Sequence, residues 1–171
     1  YSLYYTNQYP DEVEAFIGID ATVPAEIEEA DHEAYANAKR LRTLMLKSGL
    51  LRLASSEEVI KDQFPSAKAD ELELCKALWC SAQYNDTKLN EYKNMVSNEE
   101  KCMDLIFPDT VPVLYILAKD TVSEDAKWEQ LHKDVITNKD SKVSIISGDH
   151  YLHQSNLQGL VDEITSWDVR H

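Results

Sequence analysis

Two short apolar runs near the C-terminus constrain this chain most. Val111–Asp120 reads VPVLYILAKD and Ser141–His153 reads SKVSIISGDHYLH. Val113–Leu117 and Val143–Ile146 are rich in residues that favour strands, and a charged helical run separates them. Strands that alternate with helices pair in parallel in an α/β sheet. Each run ends on a polar residue with chemistry, Asp120 after the first and His150 after the second. Functional groups of open α/β sheets collect outside the carboxyl ends of the strands. An acid and a histidine at two such ends form a candidate base with its orienting carboxylate. The competing reading makes His150 an ordinary loop histidine and Asp120 a helix cap.

The rest of the chain fits around these strands. Tyr1–Tyr9 reads as the end of an amphipathic helix stopped by Pro10. Val13–Ile19 reads as a strand bounded by Asp20, and its consecutive apolar residues predict cover on both faces. From Ala25 the apolar spacing becomes helical. The stripes are Ala34, Ala38, Leu41 and Met45, then Leu72, Cys75 and Trp79, then Leu89, Tyr92 and Val96. Gly49 is expected to end the first of these helices, and Ser55 or Ser56 with Glu57 and Glu58 to start the next. Residues 25–107 are therefore expected to form an all-helical insert, a cap or lid, far longer than an ordinary connection. Residues 1–24 and 108–171 form the sheet domain. One helix is expected over Ser123–Asn138, and a closing helix over Ser155–Trp167 with Leu157, Leu160, Val161 and Ile164 facing the core.

Composition narrows the function. The 171 residues suffice for a sizeable core, and the formal net charge is −14. That acid excess disfavours nucleic acid and anionic membranes as partners, and no apolar run is long enough to span a bilayer. Three cysteines, Cys75, Cys80 and Cys102, have no framework spacing and read as free thiols, which suits a reducing, cytoplasmic setting. His150 and His153 with Asp149 lack the further ligands of a metal site, and His32-Glu33 lacks a second histidine at metal-binding spacing. No metal or other cofactor is expected. Trp79, Tyr84, Tyr92 and Trp128 offer two readings, the lining of a pocket between cap and sheet or, the better one for each separately, ordinary core aromatics.

A nucleophile is missing from the pattern. The glycines are Gly18, Gly49, Gly148 and Gly159, so neither Gly-x-Ser-x-Gly nor a glycine-rich phosphate loop occurs. The chain also opens at Tyr1 in helical character, which reads as a truncated, processed or cleaved polypeptide.

Taken together, the proline-led strand to Asp120, the GDHYLH loop and the closing helix resemble the C-terminal third of the α/β-hydrolase family. The opening YSLYYTNQYPDEVEAFIGID is similar to that family's helix after the nucleophile elbow and its sixth strand. The resemblance implies a partial α/β-hydrolase fold with three mostly parallel strands, flanking helices and a helical cap. It implies Asp120 as triad acid and His150 as base, in the family order serine, acid, histidine. Asp120 comes one residue earlier after its strand than is usual there. The resemblance further implies an ester- or amide-like small-molecule substrate, no cofactor, and a serine outside this chain, so that the chain alone is inactive. Val13–Ile19 would then be an exposed edge, covered by a missing N-terminal half or by a second copy of the chain. The rival expectation is a non-catalytic interaction module that binds through the cap or that edge.

Overall fold

The computed structural model describes residues 1–24, 29–41, 44–45, 48–83 and 85–167. The chain separates into two compact units, Tyr1–Glu26 with Lys101–His171, and Ile27–Glu100.

The first unit is an open, three-stranded parallel sheet with flanking helices. Its strands are β1 (Phe16–Ile19), β2 (Val113–Ala118) and β3 (Lys142–Ile146), in the order β1-β2-β3. Phe16 lies opposite Val113 and Ile19 opposite Ile116, while Leu114 lies opposite Lys142 and Ala118 opposite Ile146. The central strand is buried along its whole length, which explains its unbroken run of apolar residues.

One face of the sheet packs Val113, Tyr115 and Leu117 against Leu3 of α1 (Ser2–Gln8), Phe107 and Val135. Phe16 stacks on Phe107 with ring centroids 4.9 Å apart. The other face packs Leu114, Ile116 and Ala118 against Leu152 and Leu160. The expected insert ran over 25–107, whereas the second compact unit ends at Glu100. Leu105 and Phe107 belong to the core of the sheet unit.

Local chemistry moved several boundaries. After α1 the chain makes a 3-10 turn at Pro10–Glu12, so β1 starts at Phe16 rather than Val13. β1 is not covered on both faces. Gly18 is buried, but Ile17 and Ile19 are 40% and 39% exposed, because the helices of their face sit over β2 and β3. The expected helix over Ser123–Asn138 is two helices, α7 (Lys119–Glu124) and α8 (Trp128–Asp134). Asp125 interrupts it by accepting the Lys127 N–H on its own side chain, at 2.8 Å, a local bond that competes with the helix.

The closing helix expected over Ser155–Trp167 is α10 (Leu157–Ser166), and a short helix α9 (Leu152–Ser155) precedes it. Asn156 caps α10 by accepting the Gly159 N–H at 3.0 Å. Leu160 is buried and Ile164 packs on the same core, but Leu157 and Val161 are exposed, so the apolar stripe is only partly used.

The second unit is helical: α2 (Glu29–Leu41), α3 (Leu50–Ala54), α4 (Glu57–Gln63), α5 (Leu72–Ala82) and α6 (Asp86–Glu100). α2 packs along α6, and α5 along α3 and α4. Ala38, Leu51, Ile60, Leu72 and Leu89 are buried apolar residues of this unit. Ser56 caps α4, accepting the Val59 N–H, and Gly49 adopts φ 74° just before α3. Ala25, Arg42 and Tyr84 lie outside the described residues, as does the side chain of His32. Among the described residues, no helix is long and apolar enough to cross a membrane.

Candidate functional site

The three parallel strands carry their C-terminal ends to one edge of the sheet, and three loops meet there. β1 delivers Asp20, β2 delivers Asp120 and β3 delivers His150.

Asp20 is the centre of this meeting. Its backbone N–H makes a last bond to Ile116 O at 2.8 Å. The chain then turns with Asp20 at φ 42°, the one non-glycine residue at positive φ among those described. Aspartate tolerates this left-handed region better than most residues. The turn puts a fully buried carboxylate over the end of β2. Oδ1 accepts the Ala118 N–H at 3.1 Å and the Trp128 indole N–H at 2.9 Å. Oδ2 accepts the Thr121 hydroxyl at 2.6 Å and faces His150 Nδ1 at 2.9 Å. Burial pushes this carboxyl upward, but bonds from Thr121, His150, Trp128 and Ala118 outweigh it and hold the group below its ordinary value. Asp20 is therefore ionised at neutral pH, and Nδ1 of His150 carries the proton it donates.

Asp120, expected to orient His150, does not do so. It is exposed in the first turn of α7, and its own link to the histidine loop is through the backbone. Its N–H donates to Gly148 O at 3.3 Å. The acid of the pair is Asp20 by geometry.

His150 is held by a tightly bonded loop. Asn156 Nδ2 donates to Ser147 O at 2.7 Å, and the Asp149 N–H donates to Ser155 Oγ at 3.1 Å. The Asp149 carboxylate accepts the Tyr151 N–H at 2.8 Å, so it is engaged with its own turn. The His150 side chain remains 57% exposed, and its Nε2 has no protein partner among the described residues. An imidazole fixed at Nδ1 and open at Nε2 can accept and return a proton there.

Gly148 allows the loop to approach α9. It has φ 141°, and a Cβ there would lie 2.7 Å from Ser155 Oγ and 2.9 Å from Leu152 Cδ2. Gly148→Ala should cost about 1–3 kcal/mol through strain and overpacking, read as a lowered midpoint in denaturant unfolding.

A second histidine, absent from the sequence-based expectations, braces the site. His132 of α8 is fully buried, with Nδ1 2.7 Å from Trp128 O and Nε2 2.8 Å from Ala21 O. Its ring also meets the Trp128 indole edge-on at 4.8 Å. It thus ties α8 to the turn that carries Asp20. Trp128, read above as a core aromatic in preference to a pocket-lining one, packs against the core and donates to the acid as well.

A pocket of about 400 Å³ is lined by Tyr1, Ser2, Tyr5, Thr6, Val13 and Phe16. It lies toward the amino end of β1 and involves neither Asp20 nor His150. Among the described residues, no group of three or more His, Cys, Asp or Glu could hold a metal ion. Comparison with protein-family models, curated proteins and solved structures gave no match to this chain.

Proposed function

We propose that this chain supplies the acid and base of a serine-type hydrolase of the α/β-hydrolase kind, acting on an ester- or amide-like small molecule. The observation that carries the reading is the 2.9 Å contact of His150 Nδ1 with the buried Asp20 carboxylate, at the carboxyl ends of parallel strands. A serine from outside the chain would attack the carbonyl. Nε2 of His150 would take its proton and deliver it to the leaving group, while Asp20 would hold the ring and stabilise its charged form. The acid differs from the first expectation, since it follows β1 rather than β2. No cofactor enters this scheme.

The test is to express the full reading frame that encodes the chain and assay small chromogenic esters, with and without His150→Ala. The reading expects turnover that the substitution abolishes. Turnover unaltered by His150→Ala would remove the histidine from its role.

The exposed β1 residues Ile17 and Ile19 support a second reading, an interaction module. Among the described residues β1 pairs on one side only, and an edge strand that shows apolar residues is a template for further pairing. In the hydrolase reading the same edge receives the serine-bearing half or a second copy of the chain.

A further inference from the structure

We propose that Thr121 and Trp128 are positioning residues for Asp20: their hydroxyl and indole N–H occupy carboxylate sites not facing His150, leaving Asp20 one direction to act, toward Nδ1. The proposal rests on Asp20 as the acid that orients His150.

The geometry is specific. An ionised carboxylate offers about four lone-pair sites. Around Asp20 they are taken by Ala118 N–H and Trp128 Nε1–H on Oδ1, and by Thr121 Oγ–H and His150 Nδ1–H on Oδ2. The carboxylate is fully buried, so bulk water is not a substitute for a lost donor. Among the described residues, the titratable group in contact with it is His150. Both proposed donors come from the segment between β2 and β3. Thr121 sits in α7, and Trp128 opens α8 after the Asp125 turn. Trp128 is held in turn by His132, which faces its indole ring and its backbone carbonyl.

With either donor removed, a lone pair opens on a buried anion. The ionised form then loses stabilisation, and the carboxylate is freer to rotate away from Nδ1. A merely space-filling role for Thr121 and Trp128 would produce neither effect.

The experiment uses the isotopically labelled chain as it stands. NMR follows the Asp20 carboxyl carbon through its titration, and the His150 ring nitrogens report which one carries the proton in the neutral ring. Thr121→Val keeps shape and removes the hydroxyl, so the Asp20 midpoint should move up and the Nδ1–H share of His150 should fall. Thr121→Ser, which keeps a hydroxyl, should restore both. Trp128→Phe should act in the same direction as Thr121→Val. If Trp128→Phe does not fold, the Thr121 pair decides alone. A Thr121→Val chain with a native amide spectrum, an unmoved Asp20 midpoint and an unmoved tautomer overturns the proposal. That result would leave the acid–base reading standing if Asp20→Asn still released the His150 tautomer, so the two fail separately.

Discussion

Asp20→Asn is expected to lower turnover of the proposed hydrolase by on the order of 10⁴-fold, the loss typical when a triad acid becomes an amide. Asp120→Asn should leave turnover essentially unaltered. The asymmetry follows from what each carboxylate touches. Asp20 faces Nδ1 of His150 at 2.9 Å, whereas Asp120 is exposed and meets the histidine loop through its backbone N–H. An amide at position 20 presents one oxygen and one NH₂ to a site built of donors. It therefore meets either His150 and Thr121, or Trp128 and Ala118, with the wrong group. The remedy open to the histidine is to turn Nδ1 into an acceptor, which moves its proton to Nε2 and removes the base.

The same substitution should alter stability against pH. The Asp20 carboxyl is held below its ordinary value in the fold. Its ionised form therefore stabilises the protein above the unfolded-state value of about 4, and that contribution is lost as pH falls through the lower folded-state value. The acid limb of the stability curve should flatten in Asp20→Asn.

Ile116→Ala should produce the largest loss of stability, about 2–5 kcal/mol. Ile116 is fully buried at the middle of the sheet, between Ile19 of β1 and Ser144 of β3. It packs with Leu114, Ala118, Leu152 and Leu160, and a close-packed core relaxes only partly into the space such a side chain leaves. Ile145→Ala, at a residue of edge strand β3 that is 42% exposed, should cost under about 1 kcal/mol. Denaturant titration of the two variants checks the contrast. Comparable losses would mean that the centre of the sheet is packed no better than its edge.

Much of this was legible in the residues. β2 and β3 follow from runs of β-branched and apolar side chains, and the cap on α4 follows from Ser56 before two glutamates. The break at Asp125 is not legible there, because a helical period continues across it. The break is made by a side chain bonding to its own neighbouring backbone, a choice that periodicity does not register.

His150 stood out from its place after a strand, and the acid did not. Asp20 and Asp120 both follow apolar strands, and proximity in sequence to His150 favours Asp120. What separates them is non-local. Asp120 falls in the first turn of α7, which leaves its side chain exposed. Asp20 instead takes a left-handed turn and finds donors from β2, α7, α8 and the His150 loop. Those donors lie roughly a hundred residues away along the chain, so only the assembled sheet reveals them. The one local cue was the strand ending FIGI-D, which places a polar residue at a carboxyl edge as both other strands do.

Nitrogen NMR of the His150 ring in the neutral state tests the Asp20–His150 couple most directly. The account predicts a proton on Nδ1 in the native chain, loss of that preference in Asp20→Asn, and retention in Asp120→Asn. A native ring protonated on Nε2, or one that responds to Asp120→Asn and ignores Asp20→Asn, would contradict it.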